Sequence, residues 1–139
     1  MQILTEYLRL STHPELDIIN ITDQVRERLR ATGLQTGQVT IFVPGATGGI
    51  STIEYEPGLL QDLPALWEQI APAGKTYHHN ETWHDGNGHS HLRATLTKPD
   101  LTVPFVDGEL TLGTWQQIIF LDYDVPGRQR KLVVQIIGE

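Results

Sequence analysis

The hydrophobic and polar positions change period several times along the chain. Ile3 to Ser11 alternates as a strand does and stops at Thr12-His13-Pro14. Ile21, Val25 and Leu29 then recur every four residues, the spacing of one helical face. Thr22 is placed to cap that helix, Asp23 suits its positive end, and Gly33 is a natural stop. Arg26, Arg28 and Arg30 fall mostly off the apolar face. Gln38 to Val43 reads as a strand broken by Pro44-Gly45, and a glycine-rich turn leads into a second, Ile50 to Tyr55. Pro57-Gly58 opens another helix, with Leu59, Leu60, Leu63, Leu66, Trp67 and Ile70 as its apolar stripe. Pro64 interrupts the stripe and leaves room for a kink or two short helices before Pro72 and Gly74 end it.

The pattern beyond this point is almost all extended. Ser90 to Thr97 alternates and is read as a strand. Leu101 to Val106 is a second, and Asp107-Gly108 signals a tight hairpin into Glu109–Leu112. Gln117 to Tyr123 and Lys131 to Ile137 look like a long antiparallel pair, turned at Pro126-Gly127. Strands gathered together, with two main helices set apart, predict an α+β domain. Antiparallel sheets should pack as a sandwich, with the helices covering one part.

Composition narrows the chemistry more than the fold. The 139 residues suit one domain. The absence of cysteine removes disulfides, iron–sulfur clusters, thiolate zinc and cysteine nucleophiles from consideration. A formal net charge of -7 argues against binding nucleic acid, whose affinity comes from clustered Lys and Arg. The only basic cluster, Arg128, Arg130 and Lys131, reads as a solvated group at a strand end. No apolar run approaches the roughly 20 residues that span a bilayer. The opening residues do not have the pattern of a secretion signal, so a cytoplasmic location is expected.

Histidine is where the sequence departs from an ordinary globular domain. Five of its six histidines lie between His78 and His91. Crowded imidazoles are the usual donors to divalent metals, and the usual acid–base groups near neutral pH. On a strand, His89, His91 and Arg93 would share one polar face, with Ser90, Leu92, Ala94 and Leu96 turned to the core. Two imidazoles at that spacing can converge on an ion, and the guanidinium beside them can take a phosphate or carboxylate. Asp85-Gly86-Asn87-Gly88 is a turn signature whose aspartate could orient an imidazole, ligate or accept a proton. Asn80 could orient a substrate. Gly45-Ala46-Thr47-Gly48-Gly49 could offer backbone N–H groups to an anion, but lacks the Gly-Lys-Ser/Thr ending of a nucleotide loop. No serine-hydrolase elbow or His-Glu-x-x-His helix is present.

These residues resemble a known family. Asp85 to Leu96, Val103 to Ile118 and the Tyr77-His78-His79-Asn80 element look like the signatures of the YjbQ family, and the early helix and Val39–Val43 fit as well. The resemblance covers nearly the whole chain and implies one YjbQ-like domain over residues 1–139, assembling as a homotrimer. It also implies a secondary thiamine-phosphate synthase activity, in which a thiazole phosphate displaces pyrophosphate from an aminopyrimidine pyrophosphate. On that reading His79, His89 and His91 hold a divalent metal, zinc or magnesium. Asp85 and Asn87 are catalytic, and Asn80, Thr47 and Arg93 bind the small phosphorylated substrate. A metal-dependent hydrolase, or a non-catalytic protein binding a metal or small anion, is the alternative. One departure stands out: where many members have a His-Thr element after this strand, the chain has Pro44-Gly45-Ala46-Thr47.

Overall fold

The computed structural model describes all 139 residues. Its core is a layered pair of antiparallel sheets. Strand β1 (Gln2–Ser11) runs into β2 (Asp17–Asn20), α1 (Thr22–Thr32), β3 (Thr36–Phe42) and β4 (Gly48–Ile53). Helices α2 (Pro57–Ile70), α3 (His78–Trp83) and α4 (Gly88–Thr97) follow. Strands β5 (Asp100–Val106), β6 (Glu109–Leu110), β7 (Gln117–Asp122) and β8 (Gln129–Gly138) complete the chain. The larger sheet has the order β1-β8-β3-β5-β6 and the smaller β2-β7-β4. This is the α+β sandwich the pattern predicts, with four helices rather than two.

Strand β7 explains how the layers stack. Its side chains alternate as strand geometry requires, but both faces are buried. Ile118 and Phe120 join Val39, Ile41, Phe105, Leu132, Val134 and Ile136 in the core beneath the larger sheet. Ile119 and Leu121, with Tyr123 just beyond the strand, pack against Trp67 of α2 and Ala94 of α4. The small sheet is therefore the middle layer, and α2 and α4 form the outer one. Ile21, Val25 and Leu29 carry α1 into the larger core as their spacing predicts.

Several expectations are corrected here. β7 and β8 do not pair: β7 lies between β2 and β4, and β8 between β1 and β3. The Pro126-Gly127 turn carries the chain from one sheet to the other instead of closing a hairpin. Two apolar runs separated by a turn look the same in either arrangement. Thr22 does not cap α1. Its N–H and hydroxyl both donate to Asn20 Oδ1, so the asparagine two residues earlier closes the turn. Helix α2 runs unbroken through Pro64 from a start capped by the Glu56 carboxylate. The Asp107-Gly108 hairpin is as expected, with positive φ at both residues.

The correction that matters most for function is α4. Residues 88–97 form a helix, not a strand. Its buried set is Gly88, His89, Ser90, Arg93 and Ala94, a helical stripe, while Leu92 and Leu96 are exposed. The alternation of apolar residues suggested the opposite because buried serine, histidine and arginine replace part of the apolar stripe.

Helix α4 sits close on β4. A Cβ at Gly49 would lie 2.5 Å from Thr97 Cγ2 and 2.8 Å from its Cβ. Thr97 is held in turn by the Tyr123 hydroxyl at 2.6 Å. Gly49→Ala should therefore push the helix outward and cost about 1–3 kcal/mol, read by urea denaturation. Wild-type stability in that variant would mean the approach is not tight.

Candidate functional site

The site forms around the first turn of α4. Asn80 of α3 accepts the Gly88 N–H through Oδ1 at 3.1 Å and so joins the two helices. They can meet because residue 88 is glycine: a Cβ there would fall 2.7 Å from Tyr77 Cβ. This joint brings the His79 and His91 rings to 4.3 Å between centroids, tilted by 41°. Asp85 Oδ1 lies 3.5 Å from His79 Nδ1, beside the ring but too far for a good hydrogen bond.

Helical geometry splits the cluster that a strand would have gathered. At about 100° per residue, His91 points well away from His89, whereas Arg93 follows His89 one turn later. His89 and Arg93 face a cavity of about 570 Å³ between α2, α4, the loop before β2 and the end of β7. Arg93 donates from Nε to Ala71 O at 3.0 Å and from Nη2 to Glu68 Oε1 at 2.8 Å. His79, His89 and His91 therefore do not form one ligand set, and no three histidine or acidic side chains converge as metal ligands. What remains is the pair His79 and His91, with Asp85 beside it.

Beneath the first turn of α4 lies a buried polar network. Asn87 Nδ2 donates to Asp124 Oδ1 at 3.3 Å. Thr47 donates to Asp124 Oδ2 at 3.0 Å and accepts from Arg130 Nη2 at 2.8 Å. Arg130 grips Asp122 through Nε and Nη2 at 2.9 and 2.8 Å, and Arg128 Nε reaches Asp124 at 2.6 Å. Thr47 thus braces the network, with its hydroxyl occupied on both sides. Arg130 is not a solvated strand-end group; its side chain is 9% exposed.

The chain matches the family model "UPF0047 protein YjbQ-like" over residues 6–139. It belongs to the YjbQ family.

Among its YjbQ relatives is a UPF0047 protein of Archaeoglobus fulgidus, 39% identical over 130 residues, covering 94% of this chain and 98% of that protein. Another, from Methanothermobacter thermautotrophicus, is 36% identical over 139 residues, covering 100% and 95%. A crystal structure of a YbjQ-like protein of unknown function from Sulfolobus solfataricus P2 superposes with a TM-score of 0.94 at 31% identity, covering 99% of each chain. A YjbQ/UPF0047 family structure from Clostridium acetobutylicum gives a TM-score of 0.87 at 32% identity, covering 95% of this chain and 99% of that one. No helix of this YjbQ protein is long and apolar enough to cross a membrane.

Sequence reasoning missed Glu68, Asp122, Tyr123 and Asp124. The signal available was the Asp122-Tyr123-Asp124 and Arg128-Gln129-Arg130 pair of alternations at the end of a strand. It places two acids and two bases at matching spacing.

Burial sets the protonation of the cluster. It lowers the His89 pKa, aided by the Arg93 charge. It also lowers that of His91, aided by the His79 ring. Burial works to raise the Asp124 carboxyl, but hydrogen bonds from Asn87, the Val125 N–H, Thr47 and Arg128 outweigh it and hold it low. Tyr123 is pushed up to about 12 by burial and stays a neutral phenol.

These directions give a testable pH dependence. The unfolded chain takes up protons on residues 89 and 91 that the folded chain refuses. Their contribution is intact above their ordinary value of 6.5 and is eroded as pH falls below it, levelling off once the folded rings also protonate. Asp124 acts separately, losing its contribution only as pH falls below its ordinary 3.8. The Tm should therefore drop between about pH 7 and pH 5.5, and His89→Gln should flatten part of that slope. A wild-type profile that is level across this window would contradict the assignment.

Proposed function

We propose that this protein is a transferase acting on a small phosphorylated molecule, of the thiamine-phosphate synthase type that the family resemblance implies. The supporting observation is a concentration of unsatisfied polar atoms. Five buried side-chain atoms lack any hydrogen-bond partner, and four of them are His79 Nδ1, Asn87 Oδ1, His89 Nδ1 and Ser90 Oγ. Buried polar groups are nearly always paired, because leaving one unmet costs about 1–3 kcal/mol. Three of these, His79 Nδ1, Asn87 Oδ1 and Ser90 Oγ, lie around the start of α4 and favour a bound polar ligand there, while His89 Nδ1 faces the other cavity. The turn itself favours an anion, because helix N-termini present partial positive charge.

In the proposed displacement a ring nitrogen of the thiazole phosphate attacks the carbon bearing the pyrophosphate, and the pyrophosphate departs with the electron pair of the broken C–O bond. That chemistry calls for charge stabilisation more than a side-chain nucleophile. His79 and His91 would face the leaving oxygens, with Asp85 orienting the His79 ring and Asn87 bracing the turn. A divalent cation would neutralise charge on the departing group, and the side chains available to hold it are His79 and His91. The hydrolase alternative requires three protein ligands and an open position for water, and so fits the residues less well. A homotrimer in the cytoplasm is part of the same proposal; exposed Leu66, Ile70, Leu92 and Leu96 give α2 and α4 apolar surface for subunits to cover.

The test is a pyrophosphate-release assay with both heterocyclic substrates and added Mg²⁺ or Zn²⁺. Release should accompany thiamine phosphate formation and fall on Asp85→Asn substitution by about tenfold or more. Saturable substrate binding without release would make this a binding protein instead.

A further inference from the structure

We propose that the cavity on the His89 face of α4 is a separate binding site for a small monocarboxylic acid with a compact apolar body. Arg93 is its anchor, and Glu68 occupies the ligand carboxylate's position until the ligand arrives. The inference goes beyond the transferase reading and does not draw on it.

The two bonds made by Arg93 are unequal. One runs from Nε to the Ala71 carbonyl, a backbone atom at the end of α2 that cannot swing away. The other runs from Nη2 to Glu68. The Arg93 side chain is 6% exposed, but that of Glu68 is 54% exposed. Glu68 can turn outward and recover its water at little cost, since ion pairs to exposed carboxylates are weak. Arg93 cannot follow it. It stays fixed by Ala71 with a donor edge facing the cavity, and a buried guanidinium left without an acceptor is costly. A ligand carboxylate restores the acceptor and can engage two N–H groups where Glu68 engages one.

The surroundings select the rest of the ligand. His89 stands one helical turn from Arg93 with a buried, unpartnered Nδ1. Its open ring nitrogen adds a polar contact beside the guanidinium. Glu15 also lines the cavity. One guanidinium with acidic neighbours matches a single negative charge and opposes a phosphate dianion. Pro14, Leu16, Pro64, Val125 and the Tyr123 ring supply apolar wall, and about 570 Å³ lies within the range of small-molecule sites.

The experiment is calorimetric titration of the full chain with benzoate, benzamide and phenyl phosphate. Benzoate should bind saturably, and benzamide, of the same shape but uncharged, should not. Glu68→Gln removes the competing carboxylate from an exposed position and should tighten benzoate about two- to fivefold. Arg93→Met should weaken it by about tenfold or more. Should Arg93→Met fail to fold, a benzoate-dependent shift of the Arg93 Nε–H resonance in the wild type serves the same purpose. His91→Ala should leave benzoate affinity unchanged, which separates this site from the transferase proposal. The inference is overturned by absence of benzoate binding, by binding that ignores both substitutions, or by tighter binding of phenyl phosphate than of benzoate.

Discussion

Arg130→Met should destabilise the protein by about 3–5 kcal/mol, a larger loss than Gly49→Ala should cause. Arg130 holds both carboxylate oxygens of Asp122 and also donates to Thr47. Asp122 is 1% exposed and the neighbouring Asp124 2%. Methionine fills similar space but leaves the Asp122 carboxylate buried without its partner, close to a second acid. The neutral double variant Asp122→Asn with Arg130→Met should recover part of the loss, because no unpaired charge remains. Urea denaturation of the single and double variants decides the matter. A single-variant loss below about 1 kcal/mol would show that the pair contributes no more than a surface bridge. Because the network also braces Asn87 beneath α4, the single variant should disturb the His79–His91 approach.

The second large effect concerns turnover. On the proposed transferase reading, His91→Ala should lower the rate of pyrophosphate release by about 10²–10³-fold, the range for loss of one group that stabilises developing charge. His79→Ala should fall in the same range, and the double variant should be little worse than either single one. Two rings at 4.3 Å act as a unit, and effects of groups acting as a unit are not additive. Stopped-flow measurement of release with saturating substrates isolates this from binding. Multiplicative losses would mean that the two histidines work independently. Wild-type activity in all three variants would remove them from the chemistry.

The sequence made the sandwich legible where local chemistry was strong. Ile21, Val25 and Leu29 define α1 without ambiguity, and Asp107-Gly108 forces the β5–β6 hairpin. It was less informative where tertiary burial overrode pattern. α4 looks like a strand because its polar residues Ser90, His89 and Arg93 are the buried ones, and Leu92 and Leu96 are exposed. β7 and β8 look like partners because nothing local distinguishes a hairpin turn from a crossing between sheets. The site was visible as a crowd of histidines, but the crowd alone does not say which rings meet. That is decided by the turn per residue in α4, which sends His91 toward His79 and His89 toward Arg93's cavity. Asp124 and Arg130 were hidden for a different reason. Each reads as surface charge until the folded chain buries it beside its partner.

The proposed function requires that the open polar groups at the start of α4, together with the His79–His91 pair, receive a phosphorylated ligand. Pyrophosphate titration of ¹⁵N-labelled protein, with Mg²⁺ present, addresses this most directly. Saturable shifts are expected at the ring nitrogens of residues 79 and 91 and at the amides of residues 88–90, abolished together in the His79→Ala, His91→Ala protein. Shifts confined to other parts of the surface, or none, would contradict it.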